Sequence, residues 1–143
     1  MYRTVELYDE WNETKKGIHF QKWNHLENVF LNKRELWYVR LGVNIWYEEN
    51  GKNWFLRPVL VIKKVWSLFF VLALTSKWKD KNRFYHKLND VVFNQKNRKH
   101  QKNSYCILSQ VSVIDKKRFT EIMWRVSEDE FFYIKEKLKE LFV

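Results

Sequence analysis

Three polar sites interrupt apolar runs in this sequence, and their residue types suit the binding of an anion. The sites are Arg57, Thr75–Ser76 and Ser109–Gln110. Arg57 precedes Pro58, the only proline in the chain. Because proline cannot donate to a sheet ladder, it belongs at the first residue of a strand or at an edge, which places Arg57 on the rim of a sheet. A guanidinium there can bind two oxygens of one anion at once, so the sequence predicts an anion site at Arg57.

Each of these residues also has a purely structural interpretation, and the residues alone leave both interpretations open. An arginine beside a strand proline can form a surface ion pair, here with Glu48 or Glu49. A threonine at the end of a strand is commonly just a β-former. Gln110 can simply face solvent from the polar side of its strand.

The elements that must position these sites are short strands. β-branched and aromatic residues, which are typical of strands, dominate residues 35–43, 59–62, 68–75, 84–92 and 105–114. The short connection between the second and third of these runs favours antiparallel neighbours. Because the strands do not alternate with helices, we expect a small antiparallel barrel in a chain that is mainly β with flanking helices.

Helices are expected at both ends of the chain. Over residues 4–16 the acidic residues come early and the lysines late, which complements the helix dipole, and Gly17 is expected to end the helix. Residues 18–31 are predicted to form an ordered arm. Ser127 and Glu130 form a capping box that apolar residues follow at helical spacing, so the last helix is expected to begin there.

The length of 143 residues suits a single domain. We predict an N-terminal arm over 1–32, a barrel over 33–119 and a C-terminal helix over 127–143. The net charge is +10, and nine Lys and Arg residues against two Asp residues lie in a basic loop at 77–103. Such a charge favours a polyanion, an acidic protein or an anionic membrane as partner. Aromatic residues make up 18% of the chain, so some are expected on the surface as stacking platforms or as a protein interface.

The sequence lacks the residue patterns that several kinds of functional site require. Cys106 is the single cysteine and lies in an apolar run, so it suits a buried small hydrophobe in a protein of a reducing compartment. The four histidines have no Cys or carboxylate at metal-ligand spacing, and no Gly-rich phosphate loop is present. The N-terminus is acidic and the longest apolar run is about half of a membrane span, so we expect a cytoplasmic protein without a membrane segment.

Five runs of the sequence, taken in order along the chain, carry a family resemblance. They are Gly-Val-Asn-Ile-x-Tyr-Glu-Glu-Asn-Gly (42–51), Phe-Leu-Arg-Pro-Val-Leu-Val-Ile (55–62), Leu-Thr-Ser (74–76), Leu-Ser-Gln-Val (108–111) and Ile-Asp-Lys-Lys-Arg-Phe (114–119). In these runs the chain resembles the PemK/MazF family of toxins. Residues 11–20 resemble one longer branch of that family, and Val-Ser-Glu-x-Glu-Phe (126–131) fits the start of its last helix.

The resemblance implies an SH3-like small barrel with flanking helices, usually a homodimer, that cleaves single-stranded RNA without a metal or another cofactor. It also implies a cognate antitoxin, which we expect to be acidic and partly disordered because the chain is basic and rich in aromatic residues. Carried over residue by residue, the arginine, the threonine and the loop acid of the family fall on Arg57, Thr75 and Glu48. The residues expected to bind RNA are Tyr47, Ser76, Lys77, Ser109, Gln110 and Arg118.

Those residue types fit RNA cleavage in which the 2′-OH attacks its own phosphate and leaves a 2′,3′-cyclic phosphate and a 5′-OH end. The reaction needs a proton acceptor, a proton donor and cations for the negative charge of the phosphorane. Glu48 is the expected acceptor and Arg57 the expected cation. Thr75 and Ser76 can hydrogen-bond the same phosphate, and Gln110 would hold a base or a ribose.

Three residues depart from the pattern of the family. Trp46 and Trp124 stand where glycine is frequent, and Ala73 replaces a common proline. Tryptophan does not readily adopt positive φ, so the two tryptophans are expected either to reshape the loop over the site or to add stacking platforms for bases. The alternative function is therefore a catalytically inactive barrel that binds nucleic acid or an acidic protein partner through residues 77–103.

Overall fold

The computed structural model describes residues 4–21, 26, 28–42, 55–77, 82–88, 92–93, 101–102 and 104–142. In these ranges lie α1 (Val5–His19), β1 (Glu35–Arg40), β2 (Leu56–Val65), β3 (Leu68–Thr75), β4 (Tyr85–Lys87), β5 (Val92–Phe93), β6 (Gln101–Lys102), β7 (Tyr105–Asp115), β8 (Phe119–Arg125) and α2 (Glu128–Phe142). A short 3₁₀ helix, Lys116–Arg118, separates β7 from β8. Neither α-helix in these ranges is long and apolar enough to cross a membrane.

Six of the strands form one antiparallel sheet, which confirms the expected fold class of a mainly β chain with flanking helices. The strands lie in the order β4-β7-β3-β2-β1-β8, so β3 and β2 occupy the centre. A second, two-stranded sheet pairs β5 with β6. The edges of the larger sheet are β4 and β8, and within the described chain no pairing between them closes it into a barrel.

The strand that carries Arg57 differs from its prediction at both ends. It begins at Leu56 rather than Val59 and continues to Val65. Pro58 therefore lies inside a central strand, and the expectation that it marks the first residue of a strand or an edge is wrong. The β2–β3 ladder begins only at Val59, so Pro58 needs to donate no hydrogen bond to β3.

The remaining strands follow the sequence analysis only in part. The strand expected at 84–92 is limited to Tyr85–Lys87 before Leu88, which lies outside any strand, and the sequence analysis predicts neither β6 nor β8. The strands expected at 35–43, 68–75 and 105–114 are confirmed with slightly different ends. In β8 the buried residues are Phe119 and Met123, which are four residues apart. Two register shifts in the β1–β8 ladder remove the period of two by which a half-buried strand is recognised.

Each face of the sheet buries its own apolar cluster. On one face α2 packs through Phe131, Ile134 and Leu138 against a cluster that includes, from the sheet, Leu36, Leu60, Leu72, Leu74 and Leu108. The other face buries Trp37, Val39, Val59, Val61, Val71 and Phe119 together with Leu26 and Leu31 from the segment before β1. Full burial of one such side chain contributes about 1.5–3 kcal/mol, so both faces hold the central strands rigidly.

Cys106 belongs to the cluster under α2 and has no exposed surface. Burial raises the pKa of its thiol far above the usual range, because the apolar surroundings disfavour the thiolate. The prediction of a buried small hydrophobe is confirmed.

Helix α1 begins as the sequence predicts but ends later. The Thr4 hydroxyl caps the N-terminus by accepting a hydrogen bond from the N–H of Leu7 at 3.1 Å. The helix continues through Gly17 to His19, so the predicted end at Gly17 is wrong. Ile18 lies in a buried apolar cluster, and this tertiary packing outweighs the low helix propensity of the glycine before it.

Trp11 is one of the residues through which α1 contacts the segments next to the sheet. Its ring centroid lies 5.2 Å from that of Phe55, and the guanidinium carbon of Arg118 lies 5.7 Å from the centroid of the Trp11 ring. Gly42 has φ of +82°, and a Cβ added there would lie 2.0 Å from an atom of the Trp11 ring. The close contact between helix and sheet therefore requires glycine at this position.

Helix α2 is joined to β4 by a polar cluster in which His86 and Glu130 are buried and Lys137 is exposed. The predicted N-terminal cap is confirmed, since the Ser127 hydroxyl accepts a hydrogen bond from the N–H of Glu130 at 3.3 Å. The Glu130 carboxylate lies 3.2 Å from His86 Nε2, and Lys137 Nζ lies 2.7 Å from His86 Nδ1. Because an ammonium group can only donate, Nδ1 accepts from Lys137 and the proton of the neutral ring lies on Nε2, facing Glu130.

Candidate active site

The centre of the sheet brings Arg57 and Thr75 together, as the sequence predicts. Strands β2 and β3 pair in a register that sets Val59 opposite Ala73. Arg57 lies two residues before Val59 and Thr75 two residues after Ala73, so both lie at the same end of this antiparallel pair. The Nη1 of Arg57 donates a hydrogen bond of 2.9 Å to the carbonyl oxygen of Leu74, the residue before Thr75.

Both side chains are buried, which the sequence does not predict for Arg57. The exposed fractions are 6% for Arg57 and 7% for Thr75. Arg57 therefore lies near the end of β2 but is not exposed at the surface. Because the low dielectric of a protein interior strengthens electrostatic attraction, a charge held there attracts an anion more strongly than a charge in water does.

The bond to Leu74 restricts the orientation of Arg57. A guanidinium has five donors in a planar fork, so a bond from Nη1 to a backbone carbonyl limits the positions that the fork can take. Every residue has a backbone carbonyl, so the identity of a side chain does not reveal which carbonyl accepts a hydrogen bond. The role of Leu74 as acceptor for Arg57 could therefore not be predicted from the sequence.

Thr75, which follows Leu74, carries a hydroxyl group. Its Oγ1 accepts a hydrogen bond from the backbone N–H of Lys77 at 3.2 Å. A hydroxyl that accepts in this way still has its own proton to donate. Ser76 and Lys77 follow directly and are exposed. The end of β3 therefore offers a buried donor and, next to it, exposed polar and basic side chains.

Strand β7 bulges beside the same end of β3. Leu72 pairs with Val111 and Leu74 pairs with Cys106, so four residues of β7 stand opposite the single β3 residue between them. The bulge contains Ser109–Gln110, of which the serine is exposed and the glutamine half-buried. Bulges are common next to active sites because they redirect side chains out of the regular ladder.

Arg118 lies at the same end of the sheet, on the other side of β1. Its Nη1 donates to the carbonyl oxygen of Arg40 at 3.2 Å, and Arg40 pairs with Leu56, the residue before Arg57. Burial lowers the pKa of the Arg118 guanidinium, with Asp115 opposing that effect, but an arginine stays charged in proteins. Since neighbouring strands lie about 4.8 Å apart, about 10 Å separates β8 from β2 at this end.

The predicted residues Tyr47, Glu48 and Trp46 fall outside the described residues. The described residues on either side of 43–54 meet next to the site, because the N–H groups of Leu41 and Gly42 both point to the carbonyl oxygen of Phe55, at 2.9 and 3.3 Å. Phe55 precedes Arg57 by two residues. The assignment of Glu48 as proton acceptor stays a prediction.

The two remaining departures from the family pattern lie in different places. Ala73 is buried on β3, opposite Val59 and beside the β7 bulge, so it borders the site. Trp124 is 44% exposed and pairs with Leu36, whereas Arg57 pairs with the far end of β1. Trp124 therefore lies toward the other end of β1 from Arg57, and its role as a stacking platform stays a prediction.

Solved structures with a similar fold are toxins and ribonucleases. MazF (Form-I) from Deinococcus radiodurans aligns with a TM-score of 0.61 at 17% identity over 78% of this chain and 96% of its own. Mycobacterium tuberculosis toxin MazF-mt6 aligns with 0.56 at 11% identity over 76% and 96% of the two chains. A mycobacterial endoribonuclease in complex with its cognate antitoxin aligns with 0.55 at 9% identity over 78% and 93%. At such identities the comparison supports a shared fold.

Comparison of the sequence with family profiles shows which family the chain belongs to. A comparison with curated proteins found no significant match. The profile of the family described as PemK-like, MazF-like toxin of type II toxin-antitoxin system matches residues 32–142, which include every strand of the sheet and α2. The chain therefore belongs to the PemK-like, MazF-like toxins of type II toxin–antitoxin systems.

Proposed function

We propose that the protein is a toxin endoribonuclease that cuts single-stranded RNA without a metal ion. The observation that carries the proposal is the buried Arg57, whose guanidinium is hydrogen-bonded to the carbonyl oxygen of Leu74, the residue before the buried Thr75. Membership of the toxin family and the similar fold of a mycobacterial endoribonuclease support it.

The reaction begins when the 2′-oxygen attacks the adjacent phosphorus and its proton passes to a base. A phosphorane forms, the bond to the 5′-oxygen breaks, and that oxygen takes up a proton. The products are a 2′,3′-cyclic phosphate and a 5′-OH end. Glu48 is the proposed base, and atoms balance without a metal, a redox partner or a cofactor.

Arg57 stabilises the phosphorane in this proposal. Negative charge grows on the non-bridging oxygens as the 2′-oxygen attacks, and a planar fork can hold two of them. The bond to Leu74 orients the fork in advance, so little reorganisation is needed during the reaction. Thr75 donates its hydroxyl proton to the same phosphate.

The polar residues around the pair bind the RNA on either side of the reacting phosphate. Ser109 and Gln110, which leave the regular ladder in the β7 bulge, are the residues proposed to contact a ribose or a base. Ser76 and Lys77 follow Thr75 and are exposed to the approaching strand. Arg118, at the same end of the sheet, attracts a neighbouring phosphate.

A cognate acidic antitoxin is the proposed protein partner. The family is one of toxin–antitoxin systems, and one toxin structure of similar fold contains a cognate antitoxin. The net charge of +10 favours an acidic chain. A homodimer in the cytoplasm is the proposed working form.

Digestion of a varied RNA pool by the purified protein in EDTA tests the activity. We expect cuts whose upstream ends carry a 2′,3′-cyclic phosphate and whose downstream ends carry a 5′-OH, identified by end-selective sequencing. Cutting that requires an added divalent ion, or 5′-phosphate ends, would contradict the mechanism. An RNA pool that stays intact would instead favour the catalytically inactive binding barrel.

A further inference from the structure

A second concave site lies at the other end of the β2–β3 hairpin. It is a pocket of about 820 Å³, formed where residues 29–33, before β1, lie against the end of the hairpin and the 3₁₀ helix. Lys63 lines it and follows Arg57 by six residues, so at about 3.3 Å per residue the pocket lies about 20 Å from Arg57.

The lining of the pocket is strongly basic. Five lysines contribute, against one acidic residue, Asp115; the lysines are Lys33, Lys63, Lys64, Lys116 and Lys117. The Asp115 carboxylate accepts a hydrogen bond of 2.9 Å from the N–H of Lys117 and so caps the 3₁₀ helix. The excess of positive charge in a concave site attracts an anion.

Apolar and aromatic surface accompanies this charge. Leu31 and Phe69 line the pocket and are buried at 7% and 2% exposure. Phe30 also lines it but is 84% exposed. An aromatic ring held in solvent beside lysines is the combination by which proteins bind single-stranded nucleic acid, with bases stacked on the ring and phosphates on the cations.

The hairpin turn next to the pocket adds a second exposed ring. Trp66 is 92% exposed, and Ser67, which follows it, lines the pocket. Trp66 has φ of +58°, a conformation that costs free energy for a bulky residue and that Gly, Asn or Asp adopts more readily. Tryptophan at this position therefore serves neither the core nor the turn.

We propose that this pocket, together with Trp66, binds nucleotides of the RNA strand that lie beyond the cleaved phosphate. The inference takes its substrate from the proposed function and adds a binding site remote from Arg57. An acidic peptide would satisfy the lysines, but it would leave two almost fully exposed rings without a matching flat partner. Bases provide that partner.

The wall of the pocket comes partly from outside the region that defines the family. The family match begins at residue 32, so Phe30 and Val29 precede it. The segment before β1 thus supplies this chain with an RNA-binding surface that the matched region alone does not contain.

Binding of a non-cleavable 2′-O-methyl RNA of about twelve nucleotides, within the range of sizes that single-strand binding domains cover, tests the proposal. Fluorescence anisotropy would compare the wild type with Phe30→Ala, Lys64→Glu and Trp66→Asn. Matched controls are Phe142→Ala and Lys139→Glu, since both residues are exposed on α2, which packs on the opposite face of the sheet. A polyglutamate peptide serves as the competing acidic ligand.

We expect Phe30→Ala and Trp66→Asn each to weaken RNA binding about 5- to 150-fold, the range that corresponds to loss of one stacked base. Lys64→Glu should lower the slope of log Kd against log salt concentration by about 0.7. This is the contribution to the slope of one phosphate of a single strand, here the phosphate that Lys64 neutralises. Because Asn fits the positive φ of the turn, Trp66→Asn should keep or raise the Tm while affinity falls. The α2 controls should bind as the wild type does.

Pocket variants that bind RNA like the α2 controls would overturn the proposal. So would variants that lose polyglutamate binding and keep RNA binding, since the occupant would then be an acidic protein. The assay separates this inference from the proposed function. If the wild type cuts no RNA but the pocket variants bind RNA more weakly, only the proposed function is contradicted. If the wild type cuts RNA and the pocket variants bind it with unchanged affinity, only the pocket proposal is contradicted.

Discussion

Arg57 combines burial with a permanent charge, and this combination explains why the site is specific for arginine. A buried charge is costly unless it is hydrogen-bonded, and the bond to Leu74 provides part of that compensation. Lysine would place a compact, strongly hydrated ammonium at the same position and could not present a planar fork to two oxygens. A bound phosphate would supply a counter-charge.

Thr75→Val tests the role of the hydroxyl next to Arg57. Valine keeps the shape but removes the donor, and a hydrogen bond to a charged group contributes about 1.5–3 kcal/mol. We therefore expect the single-turnover cleavage rate to fall about 10- to 150-fold, measured beside the free energy of unfolding. The N–H of Lys77 loses its acceptor, which should cost about 0.5–1.5 kcal/mol of stability.

Thr75→Ser is the matched control, because serine retains the hydroxyl and should recover most of the rate. A Thr75→Val protein that cuts RNA as fast as the wild type would show that the threonine is only a β-former.

At the scale of elements, α1 and the sheet meet around one glycine. Gly42 holds a positive φ and touches the Trp11 ring, while Arg118 lies over that ring and also bonds to Arg40 in β1. Helix, 3₁₀ helix and β1 are thus joined next to the strand that begins at Leu56. The packing of α1 therefore supports the end of the sheet where Arg57 lies.

Substitution of alanine for each of the two described glycines should change the stability in opposite directions. Gly42→Ala forces a Cβ to within 2.0 Å of the Trp11 ring and strains a backbone with φ of +82°. The free energy of unfolding should therefore fall by several kcal/mol, and by about 3–5 kcal/mol if Trp11 is displaced. Gly17→Ala meets no atom within 4 Å and should raise it by about 0.5–1 kcal/mol, because Gly17 lies inside a helix. Urea denaturation measures both. Equal effects of the two substitutions would contradict this account of α1 docking.

The strands that could be predicted from sequence are those with uninterrupted apolar runs. Leu68–Thr75 stands out because both of its faces are largely buried, and Tyr105–Asp115 stands out because its first four residues are all buried. Phe119–Arg125 could not be predicted, since bulges shift its buried residues out of alternation. Pro58 led to a wrong prediction of the start of β2, because the pairing of β2 with β3 begins only after the proline. Composition does not reveal the register of two strands.

The active-site residues were predictable in type but not in environment. Arg57 and Thr75 could be found because each is a polar residue at the end of an apolar run. The burial of Arg57 depends on its partner strands, and the β7 bulge at Ser109–Gln110 depends on the spacing between two ladders. Both are long-range properties, which local patterns cannot reveal.

At the scale of the whole molecule, the cluster of His86, Glu130 and Lys137 connects α2 to the edge strand β4. Burial and the nearby Lys137 lower the pKa of His86, with the Glu130 carboxylate opposing them. The folded protein therefore keeps His86 neutral at pH values where an unfolded chain, with a pKa near 6.5, takes up a proton. Cys106 pairs with His86 across the β4–β7 ladder but stays protonated.

Acidification should destabilise the fold through His86. Because the unfolded state binds more protons than the folded state below pH 6.5, the free energy of unfolding should fall as the pH drops, by at most about 2 kcal/mol between about pH 7 and pH 5. Urea denaturation at several pH values measures this slope.

His86→Gln should flatten the slope, whereas His19→Gln, at an exposed position of α1, should leave it unchanged. The account of the cluster fails if His86→Gln and the wild type lose stability in parallel over this range.

The most direct test of the central claim, that Arg57 stabilises the phosphorane, is the single-turnover cleavage rate of one defined RNA in EDTA by Arg57→Lys and wild-type protein. Loss of one preorganised donor to a developing negative charge typically costs about 100- to 1000-fold in rate. We predict a fall of that size for Arg57→Lys, with a Tm that shows the variant to be folded at the assay temperature and with unchanged cutting by Lys139→Gln. Cleavage by folded Arg57→Lys at the wild-type rate would contradict the account.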